Sequence, residues 1–207
     1  MIDSQLRPNR LTDDRVADAI KKVSREIFVP KDKRGVAYMD EDIHLGHGRY
    51  IMEPITFAKL VQVAQLAESD VVLDVACTTG YSTAVLSYLA NTIVGVEEND
   101  ELASQAQDNL TQAEIANADV LVANHAGGYP KQSPYSVIFI QGAVSEVPNS
   151  LFNQLDEGGR LLAVVRDGQV GRAHIYRRLR GRIADQVLFD ASVPILPGFE
   201  SVRKFEF

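Results

Sequence analysis

From residue 70 onward the chain alternates between two kinds of segment, and that alternation limits its fold more than any other feature. VVLDV at 71–75, TIVGV at 92–96, DVLVA at 119–123, VIFI at 137–140 and LLAVV within 160–165 are short, apolar and rich in β-branched residues. Between them lie stretches with helical patterning, at 81–90 and from about Asn99 to Leu110. Strands without polar alternation are covered on both faces, and strands separated by helices pair in parallel. The expected class is therefore α/β, a doubly wound and mostly parallel sheet. Pro148 is expected to open a further helix that Gly158-Gly159 ends. The segments 172–179 and 183–189 flank Arg180-Gly181-Arg182 and read as an antiparallel hairpin.

The first 69 residues have a different rhythm. Residues 12–23 read as a helix capped by Thr12 or Asp13, with Val16, Ile20 and Val23 on one face. The stretch 30–53 is punctuated by Gly35, Gly46 and Gly48 and reads as loop-rich. A second helix is expected from Pro54, burying Phe57, Leu60, Val61 and Ala64. A single domain spanning 1–207 is expected, with a helical cap region at 1–69 and a Rossmann-like core at 70–207. The 207 residues are enough for a sizeable core.

A net charge of -7 argues against a general binder of nucleic acid or anionic membrane. The arginines at 172, 177, 178, 180 and 182 fit a solvated hairpin. Cys77 is the one cysteine and has no internal partner for a disulfide, which fits a reducing, cytoplasmic setting. No signal peptide and no bilayer-spanning run is read from the sequence.

In a doubly wound sheet, ligands lie beyond the C-terminal strand ends. The first of these strands runs into LDVACTTGYS, residues 73–82. A dinucleotide fingerprint needs glycine at 76, 78 and 81, where this chain has Ala76, Thr78 and Tyr81, so an NAD reading fails. Gly80 is the one glycine in this loop. The second strand ends in Val96-Glu97, and an acid there can accept from both hydroxyls of a ribose. Glu97 and Glu98 are equally readable as solvated acids ahead of a helix N-terminus.

Several short motifs, in order, resemble the protein-L-isoaspartate O-methyltransferase family. Ser24-Arg25-Glu26-Ile27-Phe28-Val29-Pro30 is similar to its P-R-E-x-F-V-P, and Ala37-Tyr38 with Asp40 to its A-Y-x-D. VVLDVACTTGYSTAVLSYL stands at its V-L-E-I-G-T-G-S-G-Y and the following helix. Ser133-Pro134-Tyr135 is similar to its A-P-Y-D, and QLDEGGRLL at 154–162 to its Q-L-x-x-G-G-x-L. The resemblance implies a seven-stranded methyltransferase fold, S-adenosylmethionine as cofactor and L-isoaspartyl residues of damaged proteins as substrate. It implies a cofactor site at Asp74, Ala76, Cys77, Thr78, Gly80, Glu97, Asn124 and His125, with Glu97 on the ribose. The alternatives are a methyltransferase with another acceptor, and a non-catalytic binding or scaffold protein. A peptide or protein partner is expected, and neither nucleic acid nor membrane.

The departures from the family pattern fall on the chemistry. Its G-x-G-x-G loop becomes Ala76, Thr78 and Gly80, and its G-D-G after the third strand becomes Ala123-Asn124-His125. Its I-S-x-P becomes Ile51-Met52-Glu53-Pro54, and its A-P-Y-D ends in Ser136. Ala76 is a mild loss if its φ stays negative. Thr78 costs about 1–2 kcal/mol if φ is positive. Asn124 keeps an acceptor for the adenine amino group but loses the charge, which halves such a bond roughly. Together these changes imply affinity weakened by about a hundredfold, or about 2.7 kcal/mol. Met52 replaces the acceptor-site serine, and a thioether has no proton to donate to a substrate carboxylate; it is also readable as a filler beside Tyr50 and Ile51. Cys77 reads as a small buried residue rather than a nucleophile, His44 and His47 as surface histidines rather than a metal pair, and His125 either as an adenine-stacking ring or as part of a glycine-rich turn.

Overall fold

A computed structural model describes residues 1–200 of the chain. Its centre is a seven-stranded sheet. Two strands outside it, β1 (Ile43–Gly46) and β2 (Arg49–Ile51), form a small antiparallel hairpin. The large sheet holds β3 (Val71–Val75), β4 (Thr92–Glu97), β5 (Ala118–Val122), β6 (Tyr135–Val144), β7 (Leu155–Asp167), β8 (Val170–Leu179) and β9 (Arg182–Asp190). Their order is β5-β4-β3-β6-β7-β8-β9, with β3 to β7 parallel and β8 and β9 antiparallel. The helices are α1 (Asp14–Lys22), α2 (Pro54–Ala64), α3 (Tyr81–Ser87), α4 (Asp100–Gln112) and α5 (Asn149–Phe152).

Alternate residues of each central strand enter different cores. Val72, Ile93, Val137, Phe139 and Leu162 join the cluster that includes Val16, Ile20, Phe57, Leu60 and Val61 of α1 and α2. Leu73, Val75, Val94, Val96, Ile138 and Ile140 join a second cluster with Leu151 and Leu155. The continuous apolar runs follow directly from this two-sided burial. Asp13 caps α1 by accepting from the Arg15 amide at 2.9 Å, and Asn99 caps α4 by accepting from the Leu102 amide at 2.9 Å.

One expectation is corrected. The helix opened by Pro148 stops at Phe152, and strand β7 has begun by Leu155, so Gly158-Gly159 lies inside the strand instead of ending a helix. Glycine in a strand permits close backbone approach, and a Cβ at Gly159 would stand 2.9 Å from the Asp156 carbonyl oxygen. The loop-rich stretch 30–53 also holds the β1–β2 hairpin and a 3₁₀ turn at Lys31–Val36. The hairpin strands have four and three residues, too few to show a period, and glycines dominate the signal around them.

Arg160 of β7 ties the cap to the sheet. It donates to the Ala64 and Gln65 carbonyls at the end of α2, the latter at 2.9 Å, and to Asp70 at 2.8 Å just before β3. Arg160→Ala removes every one of these bonds from a largely covered site. Urea denaturation is expected to show a loss of about 2–3 kcal/mol.

Candidate active site

The strand order reverses between β3 and β6, which remain parallel, so the crevice at their C-terminal ends is the place for a ligand. Asp74 of β3 is fully buried there. It accepts from Ser82 Oγ at 2.6 Å, Thr83 Oγ1 at 2.7 Å and Gln141 Nε2 at 2.7 Å. Burial pushes its carboxyl up to about 6, although the three neutral donors pull the other way.

The next carboxylate along the sheet edge has the opposite environment. Glu97, at the end of β4, is also fully buried. Its Oε1 accepts from Arg49 Nε at 3.1 Å and from the amides of Glu98 and Asn99 at 2.9 and 3.0 Å. Its Oε2 accepts from the Thr78 amide at 3.2 Å. His125 Nε2 lies 3.4 Å from Oε1. Burial raises this carboxyl, but the hydrogen bond and charge of His125, the Asn99 amide and the Arg49 charge outweigh it and hold Glu97 at about 2. Glu98 points outward, with a side chain 43% exposed. The choice between the two acids is therefore made by strand alternation.

Between the two strand ends runs the loop 76–80. Ala76 has φ 59° and Thr78 has φ 55°, both left-handed. The expectation of a mild penalty at Ala76, which depended on negative φ, is corrected: this site too asks for the conformation that glycine adopts freely. Thr78 meets the costlier condition stated for it, at about 1–2 kcal/mol. Gly80, at φ 90°, precedes α3 and packs so closely on α4 that a Cβ would lie 3.3 Å from that of Ala106. Cys77 is buried and burial drives its thiol pKa up, so it is a packed residue and not a thiolate nucleophile.

Asn124 and His125 follow β5. Asn124 is exposed, donates to Glu98 at 2.6 Å and accepts from the Gly127 amide at 3.0 Å. His125 is 1% exposed, with its ring wedged beside Glu97 and Glu98. Its Nε2 accepts from the Glu98 amide at 3.0 Å, and the ring offers no open face for stacking. His44 is exposed, and among the described residues no group of three or more His, Cys, Asp or Glu side chains could hold a metal.

Met52 is buried, and its carbonyl accepts from Arg25 Nη2 at 2.7 Å. The Arg25 guanidinium lies 4.6 Å from the centre of the Tyr81 ring. Met52, Tyr50, Phe57, Thr78, Ser82 and Gln141 are among the residues around a cavity of about 10 Å³. That is room for about one water.

Arg49 and Gln141 escaped the sequence reading. Gln141 carried a signal, as the polar residue that breaks the apolar run after VIFI. Arg49 carried almost none, because only the hairpin brings it to Glu97.

The architecture is the S-adenosylmethionine-dependent methyltransferase fold. A model of the family "Protein-L-isoaspartate(D-aspartate) O-methyltransferase (PCMT)" matches residues 1–192, and the chain belongs to that family. A relative from Methanoculleus marisnigri, named protein-L-isoaspartate O-methyltransferase, is 36% identical over 165 residues, which is 80% of this chain and 75% of the relative. A solved protein-L-isoaspartate O-methyltransferase superposes with a TM-score of 0.79 at 25% identity, covering 90% of this chain. The present chain spans 62% of that solved chain. A solved Plasmodium falciparum protein, described as a putative member in complex with S-adenosyl-L-homocysteine, gives 0.78 at 20% identity, covering 89% of this chain and 91% of its own.

Asp74 yields a pH prediction. Its folded pKa lies above the usual carboxylate value, so its contribution to stability is full below about 4 and is lost as pH rises through about 6. The shift corresponds to about 3 kcal/mol. Asp74→Asn should lack this component. The difference in unfolding free energy between wild type and variant, followed from pH 4 to 7.5, is expected to move in the variant's favour.

Proposed function

We propose that this chain transfers a methyl group from S-adenosylmethionine to the carboxylate of L-isoaspartyl residues in damaged proteins. The observation that carries the reading is the family match over residues 1–192 together with a buried acid, Glu97, at the end of the second parallel strand. The family uses S-adenosylmethionine, and this match does not favour another acceptor or a non-catalytic scaffold.

The donor set suits that cofactor. A carboxylate at a strand end is the acceptor a ribose diol needs, and a loop of backbone amides ahead of a helix suits the rest of a nucleoside. In this reading Glu97 takes the ribose, residues 74–80 the body of the cofactor, and the exposed Asn124 the adenine edge, while the enclosed His125 backs Glu97. When bound, the cofactor supplies a methyl group on a sulfonium. The protein's task is then positioning, because a carboxylate is already a nucleophile and needs no general base.

Met52 forms part of the acceptor wall in this reading. It excludes water well, but its thioether gives a substrate carboxylate no hydrogen bond. A peptide partner fits the chemistry. Among the described residues no helix is long and apolar enough to cross a membrane, and a cytoplasmic site of action is part of the proposal.

Methyl transfer to an isoaspartyl peptide at saturating cofactor tests the reading. Slow transfer is expected from the wild type. Met52→Ser is expected to raise it about ten- to a hundredfold, the value of one hydrogen bond to a charged group. No transfer by either protein would overturn the proposed substrate.

A further inference from the structure

The ribose acid already has an occupant. The Arg49 side chain is 5% exposed, its Nε is 3.1 Å from Glu97, and its Nη2 is 3.7 Å from Glu98. Its Nη1 is buried without a hydrogen-bond partner. Glu97 Oε1 thus holds one guanidinium bond and two amide bonds, while Oε2 holds the Thr78 amide. A ribose diol presents two hydroxyl donors to one carboxylate, and Glu97, fully covered by the groups around it, has no exposed oxygen to receive them.

The donors around Glu97 differ in how readily they can leave. The amides of Thr78, Glu98 and Asn99 are fixed by the strand-to-helix connections on which the sheet depends. His125 is enclosed. Arg49 stands on a hairpin whose strands have four and three residues, and whose turn strings Gly46, His47 and Gly48 together at φ 94°, 53° and 69°. A two-stranded ribbon of that size has little stability of its own. Ile43 and Ile51 pack into the core, and a Cβ at Gly48 would collide with Pro197 at 2.7 Å, so the ribbon is docked rather than built into the sheet. Arg49 is the one side-chain cation on Glu97 that comes from this separable element.

We propose that Arg49 is an internal competitor for the ribose subsite, so that cofactor binding is an exchange in which the diol takes Glu97 and the guanidinium withdraws with the β1–β2 hairpin. The proposal rests on the cofactor reading above. Withdrawal leaves the guanidinium within reach of the half-exposed carboxylate of Glu98, already 3.7 Å from Nη2, so its charge remains compensated. It also shifts Tyr50, Ile51 and Met52, which follow Arg49 directly and border the small cavity. Opening the cofactor site and widening the acceptor pocket thereby become one motion.

The test uses S-adenosylhomocysteine as the probe on the full chain. Calorimetry compares wild type with Arg49→Gln, and amide hydrogen exchange follows residues 43–51 of the wild type with and without saturating ligand. The expected results are at least tenfold tighter binding by Arg49→Gln and faster exchange across 43–51 when the wild type is loaded. Equal or weaker binding by a folded Arg49→Gln, or unchanged exchange in the loaded wild type, overturns the exchange while leaving the cofactor reading intact. Absence of binding by both proteins at millimolar ligand overturns the cofactor reading and the exchange with it. If Arg49→Gln fails to fold, the wild-type exchange experiment decides alone.

Discussion

One carboxylate organises the C-terminal edge of this sheet. Glu97 gathers the loop after β3 through the Thr78 amide, the start of α4 through the Glu98 and Asn99 amides, the segment after β5 through His125, and the β1–β2 hairpin through Arg49. Four separate parts of the chain thus meet on two oxygens. A buried carboxylate is tolerable only when its lone pairs are filled, and loss of a single charged partner from such a site costs about 3–5 kcal/mol. The depressed pKa of Glu97, at about 2, says that the folded protein strongly prefers the ion. Its contribution is fully present above the usual carboxylate range and fades only as pH falls toward 2.

Asp74, one strand away, shows what the same residue chemistry does without a cation. Its donors are two hydroxyls and an amide, and burial prevails, so its carboxyl sits at about 6. Burial raises both of these acids on adjacent strands, and they part because the charged and amide partners of Glu97 overcome it while the neutral donors of Asp74 do not. The division also assigns roles. Asp74 knits β3, α3 and β6 together beneath the crevice, whereas Glu97 joins the loop after β3 to α4 and to the β1–β2 hairpin.

Most of the sheet was legible because strands buried on both faces leave apolar runs that nothing else explains. VVLDV coincides with β3, and the remaining runs fall within or one residue from their strands. The helix expected up to Gly158 failed for a physical reason: glycine ends helices, but it also permits the tight backbone approach seen beside Asp156. The hairpin was invisible because its strands are shorter than any readable period. Of the residues that meet at this sheet edge, Glu97, Thr78 and Gly80 were legible as candidates from strand-end logic and backbone sterics. Arg49 was not, since its partner lies 48 residues away and a loop arginine is ordinarily solvated.

The loop and the hairpin bear on the same carboxylate, and this gives the unusual backbone at Ala76 and Thr78 a consequence. Residues with side chains in left-handed conformations persist only where their surroundings overdetermine them. Here the Thr78 amide is fixed by Glu97 Oε2 and the Cys77 amide by the Val96 carbonyl at 3.1 Å, so β4 holds the loop in place. A ligand that draws on Glu97 weakens one of those holds, and the strain at Thr78 then favours a shift of its amide. Glycines in this loop would tolerate either arrangement, whereas alanine and threonine make its geometry depend on which donors Glu97 accepts. Loop, acid and hairpin are thus coupled through one pair of oxygens, and the side chains at 76 and 78 sharpen that coupling.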